Sequence, residues 1–168
     1  MEYREIYSMW LKSPYITDRD RKILECMTVE EVHEAFYKTA EFGTGGMRGI
    51  MGPGTNRLNR YTIRLAAKGF ADTLPEKARV VVAYDTRNGS RAFAEETAKV
   101  FAACGKKVYL FDRPSPVPLL SFAVRQLKAD GGVVITASHN TKEYNGFKAY
   151  DETGCQLLPD KTEAIAGV

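Results

Sequence analysis

The chain has 168 residues, of which 44% are hydrophobic and 27% charged, a composition typical of one compact soluble domain with a buried core. Its 24 basic and 21 acidic residues leave a net charge of +3 that is spread along the sequence, which argues against a nucleic-acid-binding protein. The three cysteines lie far apart with no CxxC pair, so neither a zinc site nor a disulfide framework is predicted. No apolar run has the length of a signal peptide or a membrane span, so we expect a cytoplasmic protein without a membrane partner.

The first 40 residues are predicted to form an N-terminal helical extension. Their apolar residues recur at helical spacing, and Thr28 followed by Glu31 indicates a capping box at the start of a helix. Residues 41–168 are predicted to form the main domain.

A glycine-rich stretch opens that domain, with six glycines between Phe42 and Gly54, and predicts a loop that contains a short strand. Asn59 is suited to cap the helix that follows, and Pro75 marks its end.

Strands and helices then alternate. Apolar runs at 80–83, 108–111 and 133–136 predict strands, with one helix capped by Ser90 and closed by Gly105 and another at 119–127. This order predicts a three-layer α/β/α fold around a mostly parallel, mixed sheet of about four to five strands, the last at 147–151. A further helix after Pro159 would be interrupted at the last residue, so we expect a truncated fragment of a multi-domain protein.

The richest chemistry lies in residues 136–148, here named the serine segment. It follows a predicted strand at the sheet edge where α/β proteins bind ligands. It carries a hydroxyl, an imidazole, two amides and an ammonium, which suit an anionic phosphate; these groups belong to Ser138, His139, Asn140, Asn145 and Lys148. An ordinary surface loop would also be polar, so composition alone leaves both interpretations open.

Residues 44–49, here named the arginine segment, provide a second candidate. Glycines let the backbone approach an anion, and Arg48 adds a permanently charged fork beside Thr44. The pattern is neither a P-loop nor a GxGxxG fingerprint, and alone it could be a structural turn. Asp85 and Arg87 follow another predicted strand.

The two segments together closely resemble the first domain of the α-D-phosphohexomutases. The resemblance rests on TASHN with the later YNGFK, on the upstream FGTGGMRG, and on VVVAYDTR between them. The helical start with Trp10 is similar to phosphoglucomutases related to phosphopentomutases. One departure is Thr141, where family members usually have proline.

This resemblance implies that Ser138 is phosphorylated at rest and passes its phosphoryl group to and from a sugar monophosphate. Glucose 1-phosphate and glucose 6-phosphate would interconvert through a bisphosphate. Arg48 would stabilise the transferring group, and Lys148 and His139 would assist at the accepting hydroxyl. Thr44 would join these residues in binding substrate, and the serine segment would be supported by Asp85, Arg87, Asn140 and Asn145.

The resemblance also implies partners that the chain lacks. A Mg²⁺ ion would be held by the phosphate on Ser138 and by an aspartate-rich loop of a second domain, and glucose 1,6-bisphosphate would act as activator. The sugar would be recognised by the remaining domains of the parent chain, so we expect the isolated fragment not to turn over.

Other functions remain open at this stage. The enzyme could be a phosphopentomutase or a phosphomannomutase, or the chain could be a non-catalytic sugar-phosphate-binding module. A serine hydrolase could use Ser138 with His139, although no GxSxG motif is present.

Overall fold

The computed structural model describes residues 2–43, 45–158 and 165 of the chain. Three helices come first, as the sequence predicts for this part of the chain: α1 (Tyr3–Lys12), α2 (Asp18–Glu25) and α3 (Val29–Phe36). The capping box of α3 is present, since the Thr28 side chain accepts from the Glu31 amide and the Glu31 carboxylate accepts from the Thr28 amide.

From the glycine-rich stretch onward, strands and helices alternate as far as the fourth strand, and a fifth strand follows it directly. They are β1 (Gly46–Ile50), α4 (Arg60–Thr73), β2 (Arg79–Tyr84), α5 (Ser90–Ala103), β3 (Lys107–Leu110), α6 (Val117–Gln126), β4 (Gly131–Ile135) and β5 (Tyr144–Asp151).

These strands form one five-stranded mixed sheet in the order β1-β5-β4-β2-β3. The neighbours β3, β2 and β4 are parallel, whereas β5 runs antiparallel to both β4 and β1. The predicted α/β/α fold is confirmed, with parallel pairing confined to the three strands that alternate with α5 and α6. The carboxyl ends of β2 and β4 therefore lie at one edge of the sheet.

Each face of the sheet has its own apolar core. Val80 and Val82 of β2 pack with residues of α4 and α5 on one face, while Val81 packs with Leu120 and Val124 of α6 on the other. Because successive side chains of a strand point to opposite faces, a continuous valine run fits a strand buried on both sides.

The three N-terminal helices enclose a smaller apolar cluster of their own. It contacts the main domain at Tyr61, whose hydroxyl accepts from the Thr17 amide at 2.9 Å and donates to Asp20 at 2.9 Å. The ring of Trp10 meets the Tyr61 ring edge-on. The domain boundary at residue 40 remains a prediction.

The two helix caps predicted in the main domain had different outcomes. Asn59 caps α4 as predicted, accepting from the amides of Tyr61 and Thr62. Ser90 as a helix cap is wrong, because α5 begins at Ser90 itself and Gly89, with a left-handed φ of 78°, precedes it.

Two further points concern the end of the chain. The last strand begins at Tyr144, three residues before the predicted start. The helix predicted after Pro159 falls on residues outside those described, apart from Ile165. Among the described residues, no helix is both long and apolar enough to cross a membrane.

Candidate active site

Ser138 lies three residues beyond the end of β4, at the sheet edge where that strand and β2 terminate. It is exposed and adopts a left-handed φ of 57°, which is uncommon for a non-glycine residue. Its amide donates to the Thr136 hydroxyl at 3.0 Å. A backbone held in a sparsely populated conformation costs on the order of 1 kcal/mol, so its surroundings must stabilise it.

The stabilising group is Arg87, which follows β2. Its guanidinium donates four hydrogen bonds of 2.5 to 3.3 Å to backbone carbonyls of the serine segment, those of Ser138, Asn140, Thr141 and Tyr144. The Arg87 side chain is only 16% exposed. A planar guanidinium with five donors can bind four carbonyls at once, whereas a lysine ammonium has only three donors. One side chain therefore fixes the path of the backbone that presents Ser138.

Asp85 orients Arg87 from behind. Its Oδ1 accepts from the Arg87 amide at 2.9 Å and from the Ser90 hydroxyl at 2.6 Å, and its Oδ2 lies 3.6 Å from Arg87 Nε. Asn145 is fully buried at the start of β5, and its side-chain amide donates to the Ser90 hydroxyl and to the Asn88 carbonyl. Asp85 and Asn145 thus support the segment through contacts with Arg87 and Ser90.

Arg48 comes to the site through the pairing of β1 with β5. Arg48 lies opposite Gly146, and Lys148 lies opposite Gly46, so both cations occupy one face of the sheet. Arg48 Nη1 donates to Asn140 Oδ1 at 2.7 Å, which joins the arginine segment to the serine segment. Residues 92 positions apart in sequence therefore meet at one site.

Lys148 has the electrostatic character of a group that can lose its proton. Partial burial lowers its pKa from the ordinary lysine value, and the nearby positive charge of Arg48 lowers it further. A lysine in such a setting holds a larger neutral fraction at neutral pH, as a proton acceptor requires.

Two predicted site residues remain, His139 and Thr44. His139 is exposed, and no hydrogen bond between its ring and Ser138 Oγ occurs in the described part of the chain. The geometry therefore lacks the serine-to-histidine contact of a hydrolase. Thr44 lies outside the described residues.

The side chains of the described residues do not form a complete magnesium site. Within residues 2–43, 45–158 and 165, no group of three or more His, Cys, Asp or Glu side chains could hold an ion. Magnesium prefers six oxygen ligands in octahedral geometry. A phosphate on Ser138 would be one such ligand, so the others would have to come from outside these residues.

A separate cleft opens on the other face of β1, away from Arg48. It is lined by apolar residues that include Phe42, Met47 and Leu65. Its polar lining consists of Thr39, Glu41 and Thr62, which offer no positive charge to a phosphate, so the size of a cleft alone would misplace the site.

Most of the chain matches a family of known proteins. The family model of phosphoglucomutase/phosphomannomutase, alpha/beta/alpha domain I, matches residues 39–168. The chain belongs to this family. Its position within the family is that of the first domain.

The relatives it resembles are longer proteins. A phosphoglucomutase of Staphylococcus epidermidis is 47% identical over 142 residues, covering 83% of this chain and 26% of its own length. A phosphomannomutase of Mycoplasmoides pirum is 39% identical, covering 93% of this chain and 30% of its own length. A solved structure of a provisionally named phosphomannomutase from Thermus thermophilus superposes with a TM-score of 0.72 at 39% identity, over 77% of this chain and 30% of that one. The chain thus spans less than a third of each.

Sequence reasoning missed two residues that shape this phosphohexomutase domain. Ser90 is not the helix cap that its position suggests; its hydroxyl bridges Asp85 and Asn145. The sequence does not predict that residue 146 must be a glycine. In the structure, a Cβ at Gly146 would lie 2.6 Å from the Thr136 carbonyl oxygen. In the sequence, the Asn88-Gly89 turn was the only signal near Ser90. The close approach at Gly146 follows from the strand register, which the sequence does not show.

Proposed function

We propose that this chain is the phosphoryl-carrying first domain of a phosphoglucomutase, with Ser138 as the residue that is phosphorylated. The net reaction would interconvert glucose 1-phosphate and glucose 6-phosphate through a bound bisphosphate. The observation that supports this most strongly is the exposed Ser138 in a left-handed conformation, on a segment whose carbonyls Arg87 binds four times. Such rigid presentation suits a group that must meet two different acceptor oxygens in turn.

In the proposed transfer, the bond from phosphorus to Ser138 Oγ breaks and a bond from phosphorus to a sugar hydroxyl oxygen forms. Phosphoryl transfer needs positioning and charge stabilisation more than covalent assistance. Arg48, permanently charged and exposed beside the serine segment, would bind the transferring group.

The sugar hydroxyl must lose its proton as it attacks. Lys148, with its lowered pKa, is the proposed acceptor of that proton, and Ser138 Oγ gains a proton as its bond to phosphorus breaks. In the reverse transfer Ser138 Oγ loses its proton and the sugar oxygen regains one from Lys148. His139 is exposed on the same segment and would assist by hydrogen bonding to the sugar hydroxyl. Thr44 remains a proposed substrate contact.

The proposal includes the rest of a longer protein. Because each relative is more than three times the length of its match, we propose that further domains of the parent chain bind the sugar and complete a Mg²⁺ site with the phosphate of Ser138. A magnesium ion there would neutralise phosphate charge. We further propose that the protein is cytoplasmic, that glucose 1,6-bisphosphate activates it, and that the isolated chain does not turn over.

A second candidate activity has specific support. One relative is a phosphomannomutase, so a 1-phosphate to 6-phosphate isomerisation of mannose by the same domain is an alternative substrate choice. A phosphopentomutase remains the other choice.

The test is phosphate uptake by the complete gene product that carries this chain. Wild-type protein is incubated with glucose 1,6-bisphosphate and intact mass is measured, with Ser138→Ala as the matched variant. A single added phosphate on wild type and none on the variant supports the mutase. Binding without phosphate uptake would instead identify a non-catalytic binding module, and labelling of Ser138 by a fluorophosphonate probe would indicate a hydrolase.

A further inference from the structure

Ser90 is the first residue of α5, and it is fully buried. Its hydroxyl donates to Asp85 Oδ1 at 2.6 Å and accepts from Asn145 Nδ2 at 2.8 Å. A hydroxyl has one donor, so its single proton is committed to Asp85. The side chain therefore joins the loop after β2 to the start of β5.

The bond from Ser90 restricts the rotation of the Asp85 carboxylate. With Oδ1 bound to Ser90 and to the Arg87 amide, Oδ2 is the oxygen left facing Arg87 Nε at 3.6 Å. A carboxylate held at one oxygen by two donors keeps its second oxygen in one direction. The Arg87 guanidinium is thereby aimed at the serine segment.

The other side of Ser90 leads to the same segment. Asn145 Oδ1 accepts from the Gly146 amide at 2.8 Å, and Gly146 lies opposite Arg48 in the pairing of β5 with β1. The Ser90 hydroxyl is thus linked through Asp85 to Arg87, which binds the serine segment. Through Asn145 it is linked to the strand that pairs with β1, which carries Arg48.

We propose that Ser90 is a positioning residue for phosphoryl transfer, acting through Asp85 and Arg87 to hold the serine segment in its reactive geometry. This inference rests on the proposed function of Ser138. Small displacements of a reacting group can reduce a rate by about 100-fold, so the loss of one buried hydroxyl is expected to affect the reaction as well as stability.

A merely structural role makes a different prediction. A buried serine could stabilise the fold alone, in which case its removal would lower the melting temperature and leave the transfer rate of the folded protein unchanged. Thr97 offers a matched control on the same helix: it is fully buried, and its hydroxyl donates to the Phe93 carbonyl within α5. Thr97→Val removes a buried hydroxyl without touching the serine segment.

The experiment uses the complete gene product phosphorylated on Ser138, with single-turnover transfer measured by rapid quench over a range of glucose 1-phosphate concentrations that reaches saturation. We expect Ser90→Ala to slow transfer by about 10-fold or more while KM changes by less than about 3-fold. Thr97→Val should transfer at the wild-type rate, even if both variants melt earlier. Equal rates for wild type and Ser90→Ala would overturn the proposal.

A double-mutant cycle tests the route through Arg87. In an Arg87→Lys background the hydrogen bonds to the carbonyls of the serine segment are already weakened. Adding Ser90→Ala there should therefore slow transfer by no more than about 2-fold. Full, independent multiplication of the two effects would show that Ser90 does not act through Arg87. If Ser90→Ala does not fold, Ser90→Cys keeps the shape with a weak donor, and its transfer rate decides in the same way.

Failure of the proposed function would be seen separately. If wild type takes no phosphate from glucose 1,6-bisphosphate, the mutase proposal fails, and amide hydrogen exchange of residues 138–144 then decides the positioning claim. Faster exchange in Ser90→Ala than in Thr97→Val, at matched global stability, supports it, and equal exchange overturns it.

Discussion

Replacement of Arg87 by methionine should loosen the serine segment without dismantling the fold. The change keeps the length of an apolar stem and removes four charge-assisted hydrogen bonds to the segment's carbonyls. At about 1.5 kcal/mol for each bond, the low end of the range for a charged donor, the four bonds together contribute about 6 kcal/mol. Because several of the freed carbonyls lie at the surface and can bind water, we expect a loss of about 2 to 3 kcal/mol in the free energy of unfolding.

The assay combines denaturant unfolding with amide hydrogen exchange. The amides of Asn140 and Tyr144 donate to carbonyls within the segment, at Ala137 and Thr141, so their exchange reports its local opening. In Arg87→Met these two amides should exchange at least about 10-fold faster than the change in global stability explains.

Arg91→Met is the matched control for this prediction. Arg91 lies on α5, its side chain is 73% exposed, and it pairs with Glu95 within its own helix. Its loss should change the free energy of unfolding by less than about 0.5 kcal/mol. If Arg87→Met and Arg91→Met behave alike in both measurements, the hydrogen bonds from Arg87 do not stabilise the serine segment, and the prediction is refuted.

Two further predictions concern the paired strands β1 and β5. Lys148→Met should slow phosphoryl transfer by about 100-fold or more yet raise the free energy of unfolding at neutral pH, because the lowered pKa means that folding disfavours the charged lysine. That stability gain should shrink as pH rises through the lowered pKa toward the ordinary lysine value, and a gain that is constant with pH would contradict the cause. Gly146→Ala would set a methyl group 2.6 Å from the Thr136 carbonyl oxygen, so urea unfolding should show a loss of about 1 to 3 kcal/mol and transfer should slow as Arg48 shifts. Gly43→Ala, whose methyl would lie 3.7 Å from the nearest atom among the described residues, the Gly46 carbonyl oxygen, should be neutral, and equal losses in the two variants would disprove the close-approach explanation.

The sequence predicted those parts of the fold that depend on local pattern. Valine runs marked β2 and β4, and the cap of α4 at Asn59 was identifiable from residue type alone. The start of β5 was not, because Asn145 and Gly146 have low strand propensity. Pairing with β4 on one side and β1 on the other gives these residues their extended conformation, and that pairing is a tertiary property.

The candidate site divides in the same way. Motif chemistry drew attention to Ser138, Arg48 and Lys148, and the structure brings their segments together. The bonds of Arg87 to four carbonyls and of Ser90 to Asp85 depend on how three loops meet at the edge of the sheet. Spacing along a single sequence does not determine that meeting.

Transfer of a labelled phosphoryl group tests the central claim most directly. The complete gene product is labelled with ³²P on Ser138, mixed with unlabelled glucose 1-phosphate, and sampled by rapid quench, with Ser138→Ala as the unlabelled control. The account predicts that label leaves the protein and appears first in glucose 1,6-bisphosphate and then in glucose 6-phosphate. Label that stays on the protein, or that leaves only as inorganic phosphate, would contradict it.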